Sequence, residues 1–279
     1  DQGNTNDLRL LEKDELQQYV GAKKYLGGLY NAGNGHLHPL NLCIGEARAA
    51  EKMGTRIYEQ SRVVGIDQGA RPVVRTEQGS VSAKRVVLAG NAYMGDLVPK
   101  LAKRVLPSCS SVIATEPLSE EMVKQLLPGD VAVCDPRTAL DYFRLSADGR
   151  MLFGGLSNYT GLEPKDLVST LRKKMTMVYP ELESVRIDYG WSGHMGIGLN
   201  RMPQLGHIGD NISYIQAYSG HGVAPTHIMA RITAEMIAGS PTRFDYFSKI
   251  NHWPFPGGKL LRRPGLAIGM LYFKLLDEL

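Results

Sequence analysis

Residues 212–224 read Ile-Ser-Tyr-Ile-Gln-Ala-Tyr-Ser-Gly-His-Gly-Val-Ala, an apolar strand that runs through a glycine turn into a helix. Ile212 to Ala217 has the composition of a strand, Tyr218-Ser219-Gly220-His221-Gly222 forms the turn, and Ile228, Ile232 and Met236 recur at helical spacing until Gly239 stops the run. Such a junction aims backbone N–H groups and the positive end of a helix dipole at one point, which makes it a binding-site geometry. Val86-Val87-Leu88, ending in Ala89-Gly90-Asn91, is an unbroken apolar run that suits a strand buried on both faces. Ligands of open α/β sheets lie beyond the carboxyl ends of such strands, so Ala89, Gly90 and Asn91 mark a candidate cofactor edge.

Between these two junctions the texture changes. From Ser110 short strands follow one another: Val112 to Thr115, Val131 to Cys134, and the pair Tyr142 to Leu145 with Met151 to Gly154 around Asp148-Gly149. Leu167, Leu171, Met175 and Val178 mark a covering helix, and Val185, Ile187, Tyr189 and Trp191 alternate as a strand. Upstream, Leu8 to Gly21 reads as a loop and short helix with Asp14 as N-cap, and Gly27-Gly28 to His38 as turns. A helix should run from Pro39 to Gly54 with Leu40, Ile44 and Ala47 on one face, followed at once by a strand at Arg56 to Gln60. A hairpin is expected around Gln78-Gly79, and a terminal apolar helix from about Leu266 that docks on the protein's own body. The expected fold class is α/β plus α+β: an incomplete dinucleotide-binding domain with an antiparallel-sheet substrate domain.

The bulk properties narrow the function. With 279 residues, 43% hydrophobic and 22% charged, the chain is an ordinary globular protein. A net charge of +4, 32 basic against 28 acidic residues, without a long Lys/Arg run, argues against a nucleic-acid partner. Cys43, Cys109 and Cys134 are odd in number and far apart, which fits neither a disulfide framework nor a thiolate metal site, so no metal is expected and a reducing cytoplasm fits. The polar start Asp1 to Asn6 does not read as a signal peptide, and the apolar stretch Leu266 to Leu276 is far short of the roughly 20 residues that cross a bilayer.

Three near-fingerprints, Gly33-x-Gly35-x-x-His38, Gly196-x-Gly198-x-x-Arg201 and Gly220-x-Gly222-x-x-Pro225, all lack the third glycine of a dinucleotide loop. Eight segments in order carry a stronger signal: GGLYNAGNGHLHPLNLCIGEARAA from Gly27, RIYEQSRVVGI from Arg56, VVLAGNAY from Val86, IATEPL from Ile113, YFRLSADGRMLFGG from Tyr142, WSGHMGIGLNRMPQLG from Trp191, AYSGHGV from Ala217 and PFPGGKLLRRP from Pro254. With these segments the chain resembles the D-amino-acid-oxidase and glycine-oxidase group of FAD enzymes, and within it the γ-glutamylputrescine oxidases. Enzymes of this group begin with a strand, a G-x-G-x-x-G turn and a helix that hold the ADP half of FAD. None of the three is in this sequence, so the expectation is a chain lacking its N-terminal nucleotide-binding segment.

The resemblance implies a division into 1–38 (linker and start of the substrate site), 39–100 with 202–240 (partial FAD-binding domain), 101–201 (substrate domain) and 241–279 (C-terminal tail). It places Gly220, Gly222, Val223 and Ala224 at the pyrimidine edge of the flavin ring, where the helix field would stabilise reduced flavin by roughly 0.3 to 2 kcal/mol. Val63, Val64, Ala89, Gly90 and Asn91 match positions near the adenine and ribose of FAD; core strand is the alternative. His36, Tyr142, Arg144 and Trp191 are candidates for holding substrate, Arg144 by pairing with a carboxylate. His38, His194 and His221 are candidates for taking the ammonium proton, because the amine must be neutral when its α C–H delivers hydride. A capping role for His38, a surface ion pair for Arg144 and sheet packing for Tyr142 and Trp191 remain the competing readings.

Three functions follow. The first is FAD-dependent oxidation of a γ-glutamylputrescine-like amine, with imine hydrolysis and reoxidation by O2 to H2O2. The second keeps FAD but passes electrons from an amino acid or N-methylated amine to another acceptor. The third is an inactive fragment that only binds.

Overall fold

The computed structural model describes residues 8–137, 140–158 and 162–258. In chain order the strands are β1 (Leu8–Glu12), β2 (Gly27–Asn31), β3 (Val63–Asp67), β4 (Val73–Thr76), β5 (Ser80–Ser82), β6 (Val86–Leu88), β7 (Leu106–Thr115), β8 (Val133–Cys134), β9 (Tyr142–Leu145), β10 (Met151–Asn158), β11 (Ile187–Ile197), β12 (Gln204–Ile208) and β13 (Ile212–Gln216). The α-helices are α1 (Lys13–Leu16), α2 (Pro39–Lys52), α3 (Pro99–Ala102), α4 (Glu120–Leu126), α5 (Leu167–Val178), α6 (Val223–Ile237) and α7 (Thr242–Ser248), and two 3-10 turns lie at Asn91–Met94 and Pro180–Leu182.

β6 and β13 pair in parallel, Val86 opposite Ile212 and Leu88 opposite Tyr214, and β12 adds antiparallel to the other side of β13. A parallel pair needs a crossover. Here the crossover is the five-stranded antiparallel sheet β11-β7-β10-β9-β8, inserted between the two partners. The excursion returns the chain to the strand it left, so Asn91 and Ala217, far apart in sequence, end side by side.

The inserted sheet is amphipathic by alternation. Ile113, Phe143 and Phe153 stand side by side on one face, where Leu171, Met175 and Val178 of α5 cover them, all buried. Leu11 of β1 and Leu16, Val20 and Ala22 of the connection between β1 and β2 join this core. β13 is buried along its whole length: Ile215 packs with Leu205, Met229, Ile232, Met236 and Phe244, while Ile212 and Tyr214 face Leu88 and Leu101. The turn between β8 and β9 is held by Arg137, which bonds both buried carboxylates Asp135 and Asp141, and by Lys174 Nζ on Asp141 at 2.6 Å.

The structure corrects several local expectations. Arg56–Gln60 is not a strand: Ile57 and Tyr58 are exposed, Gln60 turns left-handed, the segment finds no partner there, and the strand begins at Val63. Leu8–Glu12 and Gly27–Asn31 are strands, and their pairing runs out to Glu12, so α1 is capped at Glu12 and not at Asp14. β6 is an edge strand of its three-stranded sheet with Val87 38% exposed, so the run is not covered on both faces. On α6 the buried positions are Met229, Ile232, Thr233 and Met236, a clean helical stripe that leaves Ile228 52% exposed. The helix from Pro39, the two hairpins and the covering helix at Leu167–Val178 are as expected. The C-terminal helix from Leu266 lies outside the described residues.

Candidate functional site

The turn from β13 into α6 is strained. Ala217 (φ 64°), Ser219 (φ 55°) and Gly220 (φ 89°) are all left-handed, a conformation that costs about 1–2 kcal/mol at a residue with a Cβ. Neighbouring strands supply the bonds that hold it. Asn91 Oδ1 accepts the Ala217 N–H at 2.8 Å, the Ser219 N–H donates to the Gly196 carbonyl at 2.9 Å, and the Gly198 N–H donates to Ser219 Oγ at 3.2 Å. A Cβ at Gly196 would stand 2.2 Å from Asn91 Oδ1, which is why β11 carries a glycine there. Thus the end of β6, the end of β11 and the turn into α6 form one unit.

The conformational demand falls at Gly220, not at Gly222. Gly222 has φ −68°, a value any residue adopts, and a Cβ on it would make only ordinary contact with Tyr218 at 3.6 Å. Gly222 is the N-cap of α6 and offers no side chain to the first turn, so the N–H groups of Val223 and Ala224 have no acceptor among the described residues. Val223 is 52% exposed and His221 is also exposed, its N–H donating to the Tyr218 carbonyl at 3.1 Å. An uncapped helix start beside a forced turn is suited to a ligand edge that carries acceptors or developing negative charge.

On the inserted sheet, Trp191, Val112, Gly154 and Tyr142 are register partners across four strands, on the face away from α5. Gly154 lets the Tyr142 ring lie across β10, since a Cβ there would fall 2.1 Å from that ring, and Tyr142 Oη meets Ser110 Oγ at 3.0 Å. Trp191 is 47% exposed. Met195 continues this face along β11, and its Sδ lies 3.3 Å from where a Gly220 Cβ would be. Met195 therefore joins the open sheet face to the α6 turn. Sequence reading missed it, although its period-2 relation to Trp191 was a usable signal.

Arg144 Nη2 donates to the Leu37 carbonyl at 3.0 Å and Nη1 to the Leu145 carbonyl at 2.9 Å, so it grips the segment carrying His36 and His38. Its burial lowers the guanidinium pKa from its usual value. His36 Nε2 bonds the Asp130 carbonyl at 2.9 Å. His38 caps α2: its Nδ1 accepts the Asn41 N–H at 3.2 Å, which commits that lone pair to the helix. His194 points to the opposite face of β11 from Trp191, its ring 5.8 Å from that of Tyr93 in an edge-on arrangement, with Tyr93 Oη accepting the His194 N–H at 2.9 Å. Val63 and Val64 lie on β3 in the β3–β4–β5 sheet, Val64 53% exposed, and Ala89 and Gly90 are exposed after β6. No cluster of three or more metal-ligating side chains occurs among the described residues, nor a helix long and apolar enough to cross a membrane.

Comparison with known families matches residues 1–236 to the one described as DAO, FAD dependent oxidoreductase. The chain belongs to this family. Gamma-glutamylputrescine oxidoreductase of Escherichia coli (strain K12) is 45% identical over 273 residues, covering 98% of this chain and 64% of that protein. Probable oxidoreductase OrdL of Haemophilus influenzae is 40% identical over 278 residues, covering 98% of this chain and 63% of the relative. The chain thus spans a little under two thirds of the length of these curated relatives. Among solved structures, glycine oxidase from Geobacillus kaustophilus superposes with a TM-score of 0.73 at 19% identity, over 85% of this chain and 64% of that one, which shows the shared fold. The DAO-family fold thus joins an FAD-binding-like part to an antiparallel sheet, in agreement with the expected class. The residues of this turn fit the family's cofactor: the N–H groups of Val223 and Ala224, without an acceptor among the described residues, match a flavin's acceptor edge, and Gly220 leaves its side clear of a Cβ.

Proposed function

We propose that this chain carries the flavin-ring and substrate half of an enzyme that oxidises a substituted amine of the γ-glutamylputrescine type. The observation that carries the proposal is the meeting of the uncapped α6 start with the open face of the inserted sheet through Met195 and Gly220. In this reading residues 39–100 and 202–240 make the flavin-binding unit and 101–201 the substrate unit. When bound, the flavin supplies a two-electron hydride acceptor. Val223 and Ala224 N–H groups and the α6 dipole would hold its pyrimidine edge and favour the negative charge that reduction brings. Tyr142 and Trp191 would wall the substrate, and Arg144, with N–H donors beyond the two it uses, would pair with a substrate carboxylate.

The proton inventory then limits the bases. The amine must lose its ammonium proton before its α C–H leaves as hydride. His38 could take a second proton only by giving up the cap on Asn41, and His194 faces away from Trp191. Desolvation on the open sheet face, with His221 exposed beside it, is the remaining route to a neutral amine. Water then hydrolyses the imine to a carbonyl and the released amine, and O2 takes the two electrons to give H2O2.

The test uses a version of the protein spanning the full length of its relatives, mixed anaerobically with a γ-glutamylated diamine and, separately, with a D-amino acid. Faster bleaching of the flavin absorbance by the diamine, followed by O2 uptake on aeration, supports the reading. Bleaching only by the amino acid would overturn the substrate class, and bleaching without O2 uptake would move the enzyme to another acceptor.

A further inference from the structure

A second cavity is lined by none of the residues of the α6 turn. A cavity of about 310 Å3 is lined by Arg104 and Tyr214 and by the chain that follows α7, including Ser248, Asn251, His252 and Trp253. This volume is at the small end of ligand pockets. Its charge is unbalanced. The Arg104 guanidinium makes one hydrogen bond, from Nη1 to Tyr214 Oη at 3.4 Å, and forms no ion pair with a carboxylate among the described residues. His252 is 8% exposed; its Nδ1 lies 3.2 Å from the Asn200 amide nitrogen, and its Nε2 is buried without a partner. Burial first, and the Arg104 charge second, lower the His252 pKa and keep the ring neutral, so it does not add a competing cation. Trp253 is 58% exposed at the cavity wall.

A partly buried guanidinium without a counter-charge is costly unless an anion completes it. We infer that this cavity binds a small-molecule anion, a carboxylate or a phosphate, whose charged end pairs with Arg104 and whose body rests on Trp253. It uses none of the side chains or N–H groups assigned above to the flavin edge or to the substrate, and does not depend on that assignment.

The chain has two tryptophans, so Trp191→Phe leaves Trp253 as the single indole reporter. Titration of that variant with inorganic phosphate and, in a parallel arm, with succinate, each against NaCl of equal ionic strength, reads binding directly and separates the two anion sources. The expected result is a saturable fluorescence change with at least one anion, weakened tenfold or more by Arg104→Gln and less by Arg104→Lys, which keeps the charge. The inference is overturned if neither anion gives a saturable change beyond NaCl, or if Arg104→Gln responds as its parent does. Should Arg104→Gln fail to fold, calorimetric titration of the unsubstituted chain decides: no saturable heat with either anion overturns the site.

Discussion

At the scale of single residues, glycines define the candidate site, and their reasons differ. Gly220 is required by its backbone: with φ 89° any Cβ adds strain of about 1–2 kcal/mol, and the added atom would press on Met195. Gly222 carries no such demand, at φ −68°. Gly220→Ala is therefore expected to lower stability in urea melts by at least 1 kcal/mol more than Gly222→Ala does. Equal losses would mean that the turn relaxes and that its left-handed geometry is not enforced. Gly154 is required by space, because the Tyr142 ring occupies the volume of its missing side chain at 2.1 Å. Gly154→Ala should expel that ring and expose it, seen as a rise in Tyr142 reactivity toward iodination or nitration. Gly154→Ala combined with Tyr142→Ala should recover part of the lost stability, since the clash is then gone. No recovery would show that the strand itself, and not the ring, rejects the methyl.

At the scale of elements, α2 stands out because it buries no residue; Leu40 is 60% and Ile44 38% exposed. Polar contacts tie it instead. Arg144 holds the Leu37 carbonyl before it, and Glu46 on its surface bonds His227 of α6 at 2.6 Å. Both ring nitrogens of His227 face acceptors, Nδ1 the Val223 carbonyl at 2.7 Å and Nε2 the Glu46 carboxylate. Only the imidazolium has two donors to give. The Val223 carbonyl first and Glu46 second accordingly raise the His227 pKa. A histidine whose folded pKa exceeds its unfolded value contributes its full stabilisation below the unfolded value and loses it as pH rises through the folded one. The α2–α6 tie should thus be present in mild acid and fade above neutrality. NMR titration of the His227 ring should show a pKa above that of a free histidine, and Glu46→Gln should lower it. A ring that titrates identically in both would show that Glu46 does not reach it in solution.

At the scale of the whole molecule, the apolar surface is the feature with consequences. β6 is an edge strand with Val87 38% exposed, and Val64, Leu40 and Tyr93 are more exposed still, at 53%, 60% and 71%. Unpaired strand edges and uncovered apolar groups invite association. The chain should bind an apolar dye such as ANS under native conditions, and a β6 edge substitution, Val87→Lys, should reduce dye binding and raise the concentration at which the chain begins to aggregate. Dye fluorescence no greater than that of a compact control protein would count against an open surface. The interior is the contrasting case. Leu171→Ala, in the fully buried layer under the sheet, should cost about 2–5 kcal/mol without affecting dye binding in the folded baseline.

The sequence by itself determined the elements whose signal is local. The Asp148-Gly149 turn placed Tyr142–Leu145 against Met151–Gly154, the 3.6-residue period placed the Leu167–Val178 helix, and Pro39 with Gly54 bounded α2. Eight ordered motifs also identified the family, because similarity accumulates along the chain without any need for contacts. Whatever depended on partners from elsewhere in the chain was decided only by the tertiary structure. Arg56–Gln60 was expected as a strand but found no strand to pair with, while Leu8–Glu12 became one because Gly27–Asn31 met it. His38 was open between base and cap on sequence, and its lone pair caps α2 because Asn41 N–H comes within reach. The strain falls at Gly220 and not at Gly222, because Asn91 and Gly196, brought in from the end of β6 and from β11, fix the turn two residues before the helix cap. Local propensity can be read from neighbours in sequence, whereas strain, burial and hydrogen-bond partners are set by atoms that only folding brings within a few ångströms.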